Sequence, residues 1–287
     1  MPELPEVETI ARALQQGGRN GPPVSGRLLS GGQVLWARTL AEPAPAEFDQ
    51  RLRGQRVENA GRRGKFILLQ LSRDSLLIHL RMSGDLRVEP GLDSSGLPLP
   101  LANHDRLVLV FEDGMRLAFN DPRKFGRAWL VADPTKVLAV LGPEPLDPTL
   151  DPVEFHRKLV ARRRQLKPLL LDQSFLAGLG NIYADEALHL ARLHPLSDSG
   201  TLSAAQSAGL LEAIRSVLQE GILRNGASID WVYRGGSFQN TFRAYGRTGQ
   251  ACPNCGTPIE RIRVGQRSTH FCPVCQPLSP PAEPSGK

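Results

Sequence analysis

The sequence predicts an α+β multidomain chain: an N-terminal β-sandwich with flanking helices, a helical second domain, and a C-terminal four-cysteine ribbon on a β-hairpin. Three observations carry this. From Val24 to Val131 short apolar runs alternate with Gly, Pro and Asp punctuation, as antiparallel strands do. Beyond the proline-dense connector Gly142 to Pro148 the apolar period becomes helical. All four cysteines fall in two Cys-x-x-Cys pairs, Cys252 with Cys255 and Cys272 with Cys275, sixteen residues apart. That is the spacing of two knuckles closing on one zinc ion, and a four-thiolate site leaves no open position, so the metal is expected to be structural.

In chain order, Val7, Ile10, Ala11 and Leu14 follow Pro5 at helical spacing and Gly17-Gly18 closes the segment. Strands are expected over Lys65 to Leu71, Leu76 to Leu80, Leu107 to Phe111, Met115 to Phe119 and Ala128 to Val131. Leu92 to Leu101 reads as a surface loop. His156 to Lys167 carries six Lys and Arg without an acid, either a solvated helix face or a positive surface for an anion. A helix is expected over Leu169 to Leu179, broken by Gly178-Leu179-Gly180-Asn181 and resuming from Ile182 to Leu193. Those N–H groups before a helix suit an anion. Ser203 and Gln206 resemble a capping box for a long helix carrying Leu210, Leu211, Ile214, Val217, Leu218 and Ile222, stopped by Asn225-Gly226. Ser228 to Tyr245 lacks a period and reads as a loop. Ile259 to Val264 and Ser268 to Phe271 pair as a hairpin about Gly265-Gln266-Arg267, where Arg267 is either a solvated turn residue or a probe for phosphate. The expected limits are 1–134 for the sandwich, 135–242 for the helical domain with a loop at 226–242, 243–277 for the ribbon, and a disordered tail at 278–287.

At 287 residues the chain is long for one core. Its net charge of +6 and pI of about 9.4 permit a polyanionic partner. No apolar run is long enough for a bilayer and the N-terminus lacks the pattern of a signal peptide, so no membrane association and a cytoplasmic location are expected.

Two features carry chemistry. Removal of Met1 leaves Pro2 as a secondary amine beside the Glu3 carboxylate. An α-amino group with a pKa near 8 is partly unprotonated at neutral pH, and the iminium it forms with a sugar carbon cannot discharge by losing a proton from nitrogen. The plainer reading of Pro2 and Pro5 is a stiffened terminal arm. Met82 and Phe125 would ordinarily be core; flanked by Arg81, Gly84, Arg123 and Gly126 they could be an apolar wedge between bases.

The stretches Met1 to Thr9, Arg63-Gly64-Lys65-Phe66, His79 to Gly84, Asp121 to Gly126, Gly142 to Leu146 and Leu176 to Leu188, with the terminal ribbon, resemble bacterial formamidopyrimidine-DNA glycosylases in register from end to end. The resemblance implies a helix-two-turn-helix fold for the second domain. It implies a bifunctional glycosylase and abasic-site lyase of base excision repair, acting as a monomer on damaged double-stranded DNA in the bacterial nucleoid. Pro2 would be the Schiff-base nucleophile and Glu3 the proton donor and shuttle. Lys65 would assist β-elimination and Arg267 δ-elimination. His79, His104, Arg162, Arg163, Asn181 and Tyr183 would contact DNA, while Met82, Arg123 and Phe125 would fill the space left by the extruded base. The chain departs from many relatives at Ala227 to Trp231, where small hydroxyl residues and a basic one are usual. Leu4 and the Glu6 to Thr9 run separate it from the sister endonuclease VIII type, which acts on oxidised pyrimidines and has Gly after Pro-Glu. The intact Pro2, Glu3 and Lys65 separate it from lesion-binding relatives that do not cut.

Overall fold

The computed structural model describes residues 1–18, 21–228 and 235–278. The chain divides into two compact units, Met1–Ala139 with Arg224–Ser237, and Val140–Leu223 with Phe238–Lys287.

The first unit opens with α1 (Leu4–Gln16), whose Val7, Ile10 and Leu14 lie on one buried face. Glu3 caps its start, and Glu6 completes a capping box by accepting the Glu3 N–H at 2.8 Å. Gly17, at φ 82°, ends it. The chain continues through β1 (Leu29–Val34), β2 (Leu40–Glu42), α2 (Pro45–Leu52), β3 (Val57–Arg63), β4 (Phe66–Leu71), β5 (Ser75–His79), β6 (Asp85–Pro90), β7 (Asp105–Phe111), β8 (Met115–Asn120), β9 (Arg127–Val131) and the short α3 (Thr135–Leu138). The strands form a four-stranded sheet, β1-β7-β8-β6, and a five-stranded sheet, β2-β9-β5-β4-β3. All pairings are antiparallel except β2 with β9. Side chains of both sheets, α1 and α2 share one apolar core that includes Val7, Leu14, Phe48, Leu69, Ile78, Leu109 and Phe119.

Four of these strands, β1, β2, β3 and β6, carry no clear apolar run. In β1 the reason is close packing: a Cβ on Gly32 would stand 2.6 Å from Leu52 of α2, and the Gly32 N–H donates to Asp49 Oδ1 at 3.0 Å. β2, β3 and β6 are sheet edges, where polar side chains reach solvent and the apolar signal fades.

In the second unit α4 (Pro152–Arg162) is capped by Asp151, followed by α5 (Leu166–Leu170), α6 (Asn181–Leu190) and α7 (Ala204–Leu223). The Ser203–Gln206 box forms as expected: each residue's side chain accepts the other's N–H, at 2.9 and 3.1 Å. α7 packs on α4 and α6. The helix expected over Leu169 to Leu179 is instead the shorter α5 and a long turn. Asp172 accepts the Ser174 N–H, and Gln173 binds the Leu171 and Leu179 carbonyls and the Gly178 N–H, so side chains take the place of helical hydrogen bonds. α6 likewise stops at Leu190, short of Leu193.

The ribbon hairpin, β10 (Glu260–Val264) and β11 (Arg267–Phe271), belongs to this unit, with β11 packed on α6. Its turn holds only Gly265 (φ 51°) and Gln266 (φ 67°), the left-handed pair of a two-residue hairpin. Arg267 is therefore the first residue of β11, paired with Val264, and not part of the turn. Of the expected tail only Leu278 is within the described residues. Among these, no helix is long and apolar enough to cross a membrane.

Candidate functional site

Pro2 and Glu3 lie buried at the start of α1, beneath the exposed Met1. Two hydrogen bonds set how this helix lies on the sheet. Gln15 Oε1 accepts the Ala60 N–H at 2.6 Å, and Arg62 Nε donates to Glu8 Oε2 at 2.6 Å. α1 thus runs antiparallel to β3, and its first residues are directed toward the turn after Arg63, where Gly64 (φ 57°) and Lys65 join β3 to β4. Lys65 is 6% exposed. His79 pairs with Phe66 across β4 and β5. Burial, aided by the charges of Arg81 and Lys65, pushes the His79 imidazole down to about 3, so it is neutral at pH 7. Its Nδ1 accepts the Arg81 N–H at 3.1 Å, which leaves Nε2–H as the donor.

The residues expected to form the wedge are brought together by Asp121, which is fully buried. Its carboxylate accepts N–H groups from Arg123 at 3.3 Å and Gly126 at 2.7 Å and a bond from the Ser83 hydroxyl. Ser83 in turn accepts the Arg123 N–H at 3.2 Å. The 83 and 121–126 turns are therefore one structure, with Arg123 Nη1 3.9 Å from Met82 Sδ. Met82 is 42% and Phe125 56% exposed, so neither is core. His104 is exposed, and its carbonyl accepts the Asp121 N–H at 2.8 Å, tying its loop to the same turn.

In the second unit the basic run divides. Arg157 and Lys158 pair with Glu154, and Arg164 pairs with Asp172 at 2.8 Å. Lys167 leaves the expected positive face altogether: it is fully buried, with Nζ 2.5 Å from Asp185 Oδ1 and 2.9 Å from the Ser268 carbonyl. Arg162 and Arg163, both exposed, are left as cations without an ion pair among the described residues. Asp185 Oδ2 accepts the His270 N–H at 2.9 Å, and Asn181 Nδ2 donates to the Ser268 carbonyl at 3.1 Å. This buried network clamps α6, with Asn181 at its start, against β11, with exposed Arg267 at its start. Asn181 Oδ1 is buried without a hydrogen-bond partner. Tyr183 corrects an expectation: its ring is fully buried and stacks on Phe238 with centroids 4.9 Å apart, so the side chain is not available to DNA.

The four cysteine sulfurs lie within 4.8 Å of one another. Separations of 3.9 Å for Cys252–Cys275 and 3.5 Å for Cys255–Cys272 fit the edge of a tetrahedron whose Zn–S bonds are about 2.3 Å. The ribbon holds one structural zinc ion through Cys252, Cys255, Cys272 and Cys275. His189 Nε2 of α6 is 3.3 Å from Cys252 Sγ. Burial, with Arg243, Arg247 and Arg192 nearby, pushes His189 down to about 4, so the neutral ring can donate to a thiolate.

The sequence gives no sign of the roles of Lys167, Asp185 and His189. Glu6 was legible in principle as the third residue after a helix cap. Besides the Glu3 N–H its carboxylate accepts the Ala227 N–H at 2.7 Å, and a Cβ on Gly226 (φ 80°) would meet Glu6 Oε1 at 2.6 Å. The Ser228 hydroxyl bridges the Gly236 N–H and carbonyl at 2.9 and 3.0 Å. The foot of the 226–242 loop is thereby tied to the helix that carries Pro2 and Glu3; residues 229–234 of that loop lie outside the described residues.

Fold and site together define a class: a sandwich whose N-terminal helix leads its first residues toward the Lys65 turn, joined in the chain to a helical unit that incorporates a zinc ribbon. The chain matches the formamidopyrimidine-DNA glycosylase N-terminal domain over residues 1–128, the H2TH domain of the same enzymes over 141–232, and the zinc finger found in FPG and IleRS over 249–278. It is 43% identical to the formamidopyrimidine-DNA glycosylase of Herpetosiphon aurantiacus, covering 96% of this chain and 100% of the relative. With that of Chloroflexus aggregans it shares 46% identity, covering 97% and 99%. Among solved structures, Lactococcus lactis Fpg bound to abasic-site DNA has a TM-score of 0.85 at 35% identity, covering 96% of this chain and 99% of that one. MutM bound to DNA containing carbocyclic 8-oxo-G has a TM-score of 0.86 at 34% identity, covering 96% and 100%. The chain belongs to the formamidopyrimidine-DNA glycosylase family.

Proposed function

We propose that this protein is a bifunctional DNA glycosylase and abasic-site lyase that removes 8-oxoguanine and formamidopyrimidines from double-stranded DNA and then cuts on both sides of the sugar. The observation that carries the reading is the lie of α1, which directs Pro2 and Glu3 toward the Lys65 turn in a chain with full-length family identity.

After Met1 is removed, the Pro2 amine attacks the anomeric carbon and the damaged base leaves. Glu3 protonates the ring oxygen as the sugar opens to an iminium, which withdraws electrons so that the adjacent C–H can be deprotonated and the 3′ oxygen expelled. Lys65 assists this β-elimination, and Arg267 assists loss of the 5′ phosphate. His79 offers a neutral N–H to a phosphate, and Arg162, Arg163, His104 and Asn181 bind the backbone. The joined turn presents Met82, Arg123 and Phe125 to the gap left by base extrusion, which access to a glycosidic bond in a duplex requires. Zinc supplies no reaction chemistry, because four thiolates close its coordination. The protein acts as a monomer.

Borohydride trapping tests the reading. The Met1-processed chain should form a covalent adduct with 8-oxoguanine:C duplex, and a chain with an extension retained on Pro2 should form none. Trapping by the extended chain would refute the nucleophile, and faster cleavage of thymine-glycol duplex than of 8-oxoguanine duplex would transfer the protein to the pyrimidine-specific type.

A further inference from the structure

Next to the Asp121 turn lies a surface hollow of about 350 Å³ lined by Trp36, Arg38, Arg123, Lys124, Phe125 and Arg127. Every lining residue is a cation or an aromatic. Arginines elsewhere in this unit are mostly matched: Arg27 with Asp113, Arg51 with Asp74, Arg53 with Asp49, Arg62 with Glu8, and Arg116 with Glu89. Around the hollow, Arg38, Arg123, Lys124 and Arg127 have no carboxylate within ion-pair distance among the described residues. Gathering like charges without a counter-charge costs energy that an anion recovers.

The cluster is also held in shape. Lys124 adopts φ 60°, a left-handed conformation unfavourable to a residue with a Cβ, and its Nζ stands 4.1 Å over the Trp36 ring. Arg127 donates to the Arg38 carbonyl, fixing the two walls against each other. Trp36 Nε1 is buried without a partner. Of these residues only Arg123 and Phe125 belong to the proposed wedge.

We propose that this hollow is a second DNA-backbone site: Arg38, Lys124 and Arg127 bind phosphates of the duplex running past Phe125, with the Trp36 ring seating Lys124 beneath them. Cations flanking an apolar floor suit a phosphodiester chain, which alternates charged and apolar groups, and continuity with Phe125 places the site on the same duplex. The inference rests on the DNA-binding reading above, and its role is affinity for undamaged flanking DNA, independent of the lesion.

The test is the salt dependence of binding to an undamaged duplex. Removing one phosphate contact makes the slope of log K against log salt shallower by about 0.9, so Arg38→Gln with Lys124→Asn should make it shallower by about 1.8. Asparagine keeps the left-handed backbone available. Arg38→Gln alone, at an exposed side chain, should give about half that change and stands in if the double variant folds poorly. A slope equal to that of the unaltered protein overturns the proposal. So does an equal change in the control Arg12→Gln with Lys136→Gln, which removes the same charge elsewhere on the unit. If the unaltered protein itself shows no salt-dependent binding, the DNA-binding reading has failed, not merely this site.

Discussion

Pro2 and Glu3 stand on a helix anchored by Val7, Ile10 and Leu14 in an apolar core, whereas Arg267 stands on a hairpin anchored by four thiolates and a buried Lys167–Asp185 ion pair. The first anchorage is non-directional and spread over many side chains, so it survives removal of any one hydrogen bond. The second is concentrated. A ribbon of this size buries too little apolar surface to hold itself, and its orientation on α6 is set by a handful of charged and hydrogen-bonded groups. The two units should therefore fail under different treatments.

The largest separation should come from the metal. Chelating zinc, verified by metal analysis, should lower affinity for damaged duplex about 100-fold while the thermal transition of the first unit stays in place, since metal binding supplies the folding free energy of such ribbons. Unchanged affinity in the metal-free protein would mean that the hairpin does not bind DNA. Next is Asp185→Asn, which leaves Lys167 buried without its counter-charge. Breaking a buried pair from one side costs about 3–5 kcal/mol, to be read from urea unfolding of the second unit. With Arg267 no longer held in register, products should shift from δ- toward β-elimination while the borohydride adduct still forms. A product ratio equal to that of the unaltered protein would show that the clamp does not position Arg267.

The smallest effect belongs to the first unit and to acid. His79 sits near 3 when folded and near 6.5 when unfolded. Between those values the unfolded chain binds the extra proton, so stability is complete above about pH 6.5 and falls as pH drops through the window, by at most about 1.4 kcal/mol per pH unit. His79→Gln should flatten that loss between pH 6.5 and 4.5 in denaturant melts of the first unit. An equally steep loss in the variant would assign the acid sensitivity to other groups.

Much of the molecule was legible because its signals are local. The α1 periodicity, the Ser203–Gln206 box, the Asn225-Gly226 stop and the cysteine spacing each depend on residues a few positions apart. The strands β1, β3 and β6 were not, since Gly31-Gly32 are explained by α2 lying across them and the edge strands by what does not cover them. The basic run misled at Lys167 because composition cannot tell a solvated cation from one that meets Asp185, eighteen residues later. Tyr183 misled for a related reason: its partner Phe238 lies far along the chain.

The fold class, the family and the helix start that carries Pro2 and Glu3 were decided by short-range pattern and motif, which a linear chain records directly. Which charges stay on the surface, which hydrogen bond ties Glu6 to Ala227, and how Trp36, Arg38, Lys124 and Arg127 come to share one hollow were decided only on folding. Those interactions join residues tens to hundreds of positions apart, and their energy depends on burial and distance, neither of which is written in the order of the amino acids.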